Sequence, residues 1–477
     1  MKKEFYITTT LPYVNAAPHI GFASEIVLAD VRARFERILG KEVIFNTGTD
    51  EHGSKIWQKA QEEGIEVQQY VDKYAAKFDE LKEMLELSYT NFIRTTDENH
   101  KKAAQELWKR VDANGYIYKK QYKVKYCVGC ELEKTDSELV DGFCPLHPGK
   151  DLEIIEEENY FFKFSALQDK LLELYKNNPE LVVPNKRFNE IKSFVEMGLE
   201  DFSISRLKTK MPWGVPVPGD DDQVMYVWFD ALTNYISTLG WPDNQDNFEK
   251  FWGTVDAPNA IQIAGKDNLR QQSAMWQAML LAADLPTSKQ VFINGFIGVD
   301  GQKMSKSIGN VISPTEMVEN FGIDGTRYLL LTKGTFGEDN DISWEKLITK
   351  YNADLANGLG NLTSRVVKLS ENLDLEIEKK ENIFDGANIK LVENFDLDKV
   401  LENIWNIVRE DNKYIEDTKP WELVKNNETE FKKVMQKLLN DLTLVAQMLT
   451  PFLPETSEKI KKALETKGRV ILFERIR

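Results

Sequence analysis

The sequence predicts an α/β protein: a doubly wound domain with a parallel sheet, interrupted by an insertion and followed by an α-helical bundle. Three observations predict this. The chain opens as strand, turn, helix, strand, the start of a domain whose ligands sit at the carboxyl ends of its strands. That rhythm breaks between about Tyr118 and Asp222 and resumes at MYVWFDAL. After about Asn340 the texture changes to long, Lys/Glu/Asn-rich amphipathic patterns with few glycines, typical of a bundle.

Each element has its own warrant. Phe5–Thr10 (FYITTT) is a short strand, and LPYVNAAP supplies Pro and Asn for a turn. Helical spacing follows from Pro18: Val27, Val31 and Phe35 recur at i, i+4, and Gly40 stops the run. Val43–Asn46 is the next strand and leads into the loop GTDEHG. The interrupting stretch holds every cysteine, the acidic run EIIEEEN and several aromatic strands. IQIAG and VFINGF then continue the α/β pattern.

At 477 residues the chain exceeds what one core usually serves, so two to four domains are expected. No apolar run could span a bilayer, and MKKEFYITTT lacks the apolar region of a signal peptide. A cytoplasmic protein without membrane contact is expected. The net charge of −16 argues against a protein that coats nucleic acid non-specifically. Recognition of folded RNA through a few stacking and edge contacts stays open.

Three motifs carry chemistry. Cys127-x₂-Cys130 and Cys144-x₂-His147 form two knuckles whose four soft or borderline donors suit tetrahedral zinc. Such a closed site is structural. Pro18, at the first helical position, would be pre-organised for the helix and place His19 beside the free N–H groups and positive dipole end, an anion site. Gly21 would let a flat group approach the backbone. Lys303-Met304-Ser305-Lys306-Ser307, on a loop after VFINGF, suits a polyphosphate. Taken singly, a histidine at a helix start is more often a cap, and an isolated KxxK is more often a solvated loop.

Together the motifs resemble a known family. HIGF (19–22), GTDEHG (48–53), YVWFDAL (226–232), GKD (265–267) and KMSKS (303–307) are similar to those of class I aminoacyl-tRNA synthetases, and more closely to the methionyl-tRNA synthetase family. NYFF (159–162), DFSISR (201–206), WGVPVPGD (213–220), NLTSR (361–365), KPW (419–421) and the closing LFERI extend the resemblance over essentially the whole chain.

The resemblance implies a Rossmann-type catalytic domain in two parts, 1–117 and 225–295, split by a zinc-containing connective insertion at 118–224. A KMSKS and stem-contact region at 296–350 and a helical anticodon-binding domain at 351–477 follow. It implies ATP-dependent activation of L-methionine and transfer to the 3′ end of tRNA(Met), initiator and elongator, with Mg2+ accompanying ATP and one structural Zn2+. His19, Lys303 and Lys306 would be catalytic. ATP would be held by His19, Gly21, Asp267, Asn294, Lys303, Ser305 and Lys306. Methionine would meet Asp50 through its ammonium group and the Leu11 backbone, with Tyr13, Trp228, Ala231, Leu232, Tyr235 and Gln272 around its side chain. Asn361, Arg365 and Trp421 would read the anticodon. Because the sequence stops soon after the bundle, without a further tRNA-binding domain, a monomer is expected.

Four positions depart from the family pattern: Phe22, Gln271, Gln272 and Asn294 stand where other residues are usual, histidine at three of them. Of the remaining histidines, His52 lies in a matching motif, and His100 is expected at the surface. These departures leave two other readings: a synthetase-like tRNA-binding protein with impaired adenylation, and an enzyme that adenylates a different amino acid.

Overall fold

The computed structural model describes residues 3–130, 132–134, 136–304, 309–378, 380 and 382–476. The chain divides into two compact units, each discontinuous in sequence. One comprises Met1–Ala17, Lys41–Glu80 and Tyr89–Ile293; the other comprises Pro18–Gly40, Leu81–Ser88 and Asn294–Arg477. No described helix is long and apolar enough to cross a membrane.

The first unit is built on a six-stranded sheet in the order Asn91–Arg94, Glu42–Thr49, Glu4–Thr8, Ala260–Gly265, Gln290–Asn294, Val182–Val183. Tyr6 pairs in parallel with both Ile44 and Ala260. The inner strands are buried along almost their whole length, as strands covered on both faces are. The chain order reverses beside Glu4–Thr8, which makes this strand the switch point where such sheets bind ligands. The buried core around it is rich in large rings, among them Tyr6, Trp241, Trp252 and Trp276.

A second, antiparallel sheet fills part of the interrupting stretch. Ile117–Cys127 pairs with Glu153–Phe162, from Ile117↔Phe162 to Tyr126↔Glu153. This register sets the acidic run opposite a lysine-rich strand, and Lys123 meets Glu156 at 2.9 Å. Cross-strand charge pairing thus accounts for Glu156 without invoking a function. Within the same stretch, Val182–Val183 adds an edge strand to the main sheet, and Phe164, Leu171, Tyr175 and Phe188 join the main core.

In the second unit, the helix Ile20–Ile38 packs on the helix Pro314–Leu331. A fully buried ion pair, Arg327 Nη2 to Asp30 Oδ2 at 2.8 Å, joins them. Arg327 also donates to the carbonyls of Leu85, Phe452 and Pro451 at 2.9, 2.8 and 3.3 Å, so four of its five N–H donors are engaged. Ser313 and Glu316 close a reciprocal capping box at the start of the second helix. The bundle consists chiefly of Asn361–Ser370, Leu397–Thr418, Glu428–Leu449 and Pro454–Thr466.

Candidate functional site

In the first unit, three expected ligand-binding residues follow the carboxyl ends of three adjacent strands. Leu11 comes after Glu4–Thr8, Asp50 directly after Glu42–Thr49, and Asp267 lies exposed in the turn Lys266–Asn268 after Ala260–Gly265. Tyr13 bridges to Asp50, and the Asp50 main chain is held from both sides: its N–H donates to Pro12 O at 3.0 Å and its carbonyl accepts from Val14 N at 3.1 Å. The neighbouring Glu51 points elsewhere. It is buried and gripped by Arg94 Nε and Nη2 at 2.6 and 2.9 Å, an anchor that fixes the loop carrying Asp50.

Trp228 and Ala231 lie on the short helix Val227–Ala231, with Leu232 as its cap, and Tyr235 on the next turn, Asn234–Ser237. Ala231, Leu232 and Tyr235 are buried, and the buried indole N–H of Trp228 has no hydrogen-bond partner among the described residues. Gln272 sits in a π-turn, Gln271–Met275, and donates from Nε2 to the Tyr235 hydroxyl. The structure therefore brings Tyr235 and Gln272 into direct contact.

His100 is not at the surface as expected: it is fully buried. Its Nε2 lies 2.7 Å from Asp230 Oδ1, while His52 Nδ1 lies 2.6 Å from Oδ2 of the same carboxylate. The pattern ENHKKAAQELW puts His100 on the apolar face of Glu98–Ala113 with Ala103, Ala104 and Leu107. Helical periodicity, applied to that segment, would have placed it inside. Burial favours the neutral acid at Asp230, yet the two imidazoles outweigh it and hold the carboxyl down at about 2.

In the second unit, the helix begins at Ile20, so Pro18 is not its first residue as expected but lies outside it. His19 takes the N-cap position with extended backbone, and its Nδ1 accepts from Gly21 N at 3.0 Å. This bond assigns the tautomer: the proton of a neutral ring is on Nε2, on an exposed side chain. A Cβ on Gly21 would come 2.7 Å from the imidazole Cε1, so the glycine makes room for the cap. The methyl of Met304 would stand 3.8 Å from the same point, which places this one residue near the helix start. The Lys303 backbone closes a short strand, Gln302–Lys303. Ser305 and Lys306 lie outside the described residues. Asn294 is buried, and its Oδ1 has no hydrogen-bond partner among the described residues.

The four expected metal donors converge. Cys127, Cys130 and Cys144 Sγ and one His147 nitrogen all lie within 4.8 Å of one another. Cys130 Sγ is 3.4 Å from Cys144 Sγ and 3.2 Å from His147 Nδ1, and Cys127 Sγ is 3.7 Å from His147 Nδ1. Tetrahedral zinc with these donors would set its ligand atoms about 3.5–3.8 Å apart, so the set fits the ion. Each knuckle is closed by a main-chain bond, Cys130 N to Cys127 O and His147 N to Cys144 O. Gly129 is required here, since a Cβ would meet the His147 ring at 2.5 Å.

In the bundle, Asn361 opens the helix Asn361–Ser370 and Arg365 lies one turn on. The Arg365 guanidinium stands 5.6 Å from the centre of the Trp421 ring and 2.7 Å from Glu416. Trp421 is 40% exposed although large and apolar, and Asn361 is exposed as well.

Comparison with known proteins gives the family. The family described as "tRNA synthetases class I (M)" matches residues 5–153 and 148–367, and "Anticodon binding domain of methionyl tRNA ligase" matches 359–472. The methionine–tRNA ligase of Brucella suis is 42% identical over 96% of this chain and 91% of its own. That of Rickettsia felis is 40% identical over 100% and 95%. This chain belongs to the methionyl-tRNA synthetase family. A solved structure of Mycobacterium tuberculosis methionyl-tRNA synthetase in complex with methionyl-adenylate superposes with a TM-score of 0.89 at 37% identity, covering 97% of this chain and 93% of that one.

Within this methionyl-tRNA synthetase fold, sequence reasoning missed Asp230, Glu51 and Arg94. Asp230 lies inside the motif YVWFDAL, and Glu51 inside GTDEHG. A carboxylate inside an otherwise apolar motif is a signal in itself, because it must find partners when buried.

Proposed function

We propose that this chain activates L-methionine with ATP and transfers the methionyl group to the 3′ end of tRNA(Met). The observation that carries the reading is that family membership extends over both the catalytic and the anticodon regions, with Asp50 and Tyr235 present in the sequence.

The methionine carboxylate attacks the α-phosphorus of ATP, a P–O bond forms, and pyrophosphate leaves. Negative charge spreads over the phosphate oxygens, so catalysis is positioning plus fixed positive potential. His19, holding its Nδ1 against Gly21, offers Nε2–H to phosphate oxygen. Asp267 binds the ribose hydroxyls, Lys303 and Lys306 meet the pyrophosphate, and Asn294 and Ser305 complete the nucleotide contacts. Asp50 pairs with the ammonium group, the Leu11 main chain fixes it, and Tyr13, Trp228, Ala231, Leu232, Tyr235 and Gln272 enclose the thioether side chain. Magnesium accompanying ATP would supply further positive charge to the phosphates. In the second step the 2′-hydroxyl of the terminal adenosine attacks the activated carbonyl and AMP leaves.

Cys127, Cys130, Cys144 and His147 hold one zinc, which braces the antiparallel sheet and takes no part in either step. Asn361, Arg365 and Trp421 read the anticodon. This activity would take place in the cytoplasm.

The test is ATP–pyrophosphate exchange across the standard amino acids, with tRNA charging alongside. Exchange with methionine is expected. Exchange with another amino acid instead would overturn the substrate. Absence of exchange with tRNA binding retained would leave an RNA-binding protein of this fold.

A further inference from the structure

Behind Tyr235 lies a chain of four further buried polar side chains: Gln272, Gln262, Ser288 and Gln277. Its polarity is fixed by main-chain groups that cannot be reversed. The Ser288 N–H donates to Gln277 Oε1 at 3.0 Å, and the Gln272 carbonyl accepts from Gln277 Nε2 at 2.9 Å. The Gln277 amide can therefore stand only one way round. Its Nε2 also donates to Ser288 Oγ at 3.0 Å, which turns the serine proton onward to Gln262 Oε1 at 2.5 Å. A separation this short belongs to O–H···O and not to N–H···O. With Oε1 so engaged, Gln262 Nε2 donates to Gln272 Oε1 at 3.2 Å, and Gln272 Nε2 donates to the Tyr235 oxygen. The last bond puts an N–H donor against the phenol, so the tyrosine proton is directed to another group. Tyr6 Oη, donating to Tyr235 O at 2.8 Å, holds the residue's main chain still.

We infer that this relay makes Tyr235 an obligate hydrogen-bond donor, and that Ser288, Gln262 and Gln277 are positioning residues for selecting a thioether. The inference rests on the methionine reading above. A thioether accepts a weak hydrogen bond and donates none, so a slot that distinguishes sulfur from methylene needs a donor whose direction is settled beforehand. An apolar slot alone separates such similar side chains poorly. All four relay members are neutral amides or hydroxyls, so the donor direction does not change with pH in the physiological range.

The test is ATP–pyrophosphate exchange with methionine and with norleucine, which carries methylene in place of sulfur. Ser288→Ala removes the proton that orients Gln262. It should lower the methionine-to-norleucine ratio of kcat/KM about three- to tenfold, as expected for one neutral hydrogen bond. The loss should appear in KM for methionine, with norleucine unaffected, and Ser288→Thr should restore the ratio. Gln262→Met, tested in the same way, covers the case in which Ser288→Ala does not fold. Equal losses on both substrates, or an unchanged ratio in the folded variants, would overturn the relay while leaving methionine activation standing. No exchange with methionine by the unaltered protein would overturn the function itself, and the relay's role with it.

Discussion

His100 Nε2 lies 2.7 Å from Asp230 Oδ1 with both side chains fully buried. A carboxylate can only accept, so the proton of this contact belongs to the imidazole. His52 faces the other oxygen in the same sense. Asp230→Asn keeps the shape but turns an NH₂ group towards one of the two rings. The variant should lose about 3 kcal/mol in urea unfolding at neutral pH, the usual cost of breaking a buried charged network. The folded carboxyl, at about 2, is depressed below its ordinary value. Its contribution is therefore present above about pH 4 and lost as pH falls towards 2. The stability gap between the two proteins should be full at pH 7 and close under acid. A gap that widens on acidification would contradict this.

Metal content is a second prediction. Purified protein should carry one zinc per chain by elemental analysis, and a strong chelator should lower its melting temperature. Gly129→Ala sharpens the test, because it alters no ligand. The added methyl would stand 2.5 Å from the His147 ring and push the imidazole out of place. Zinc retention should fall about tenfold or more, by analogy with the loss of orienting contacts around metal ligands. Full retention in Gly129→Ala would argue against this ligand set.

The helix start at His19 makes a third. His19→Ala removes both the cap and the group assigned to phosphate. Exchange should fall on the order of 10²-fold, as for loss of one well-placed donor. Gly21→Ala should mimic it, since the new Cβ would sit 2.7 Å from the capping ring. Phe22→His should be tolerated or mildly activating. An inactive Phe22→His enzyme would mean that the site has been built around the phenyl ring.

Much of this was legible in the residues. The parallel sheet follows from apolar runs such as FYIT and AIQIAG, and the metal donors from their spacing. What stayed hidden depends on partners far apart in sequence. Asp30 and Arg327 are 297 positions apart, and nothing local shows that they join the helix Ile20–Ile38 to the helix Pro314–Leu331. Tyr235 and Gln272 could be named as pocket residues, but the direction of their hydrogen bond is set by Ser288 and Gln277, which carry no motif. Pro18 misled for a local reason. Proline favours the first helical position, but a histidine able to cap its own helix moved the start two residues on.

The fourth prediction concerns Trp421. Trp421 is a large indole left 40% exposed, with the Arg365 guanidinium 5.6 Å from its ring centre, so a flat aromatic face is open to a ligand. A splayed anticodon base would suit that surface: its flat face would stack on the indole, while Asn361 and Arg365, one helical turn apart, would read its edge. Stacking of this kind contributes about 1–3 kcal/mol per base. Trp421→Ala should therefore lower kcat/KM for tRNA charging about 10- to 100-fold and leave ATP–pyrophosphate exchange nearly unchanged. Glu416, which holds Arg365 at 2.7 Å, supplies an internal control. Glu416→Gln releases the guanidinium and should strengthen tRNA binding at low salt, with the gain fading as salt rises. Equal losses of charging and exchange in Trp421→Ala would show instead that the indole only packs the bundle.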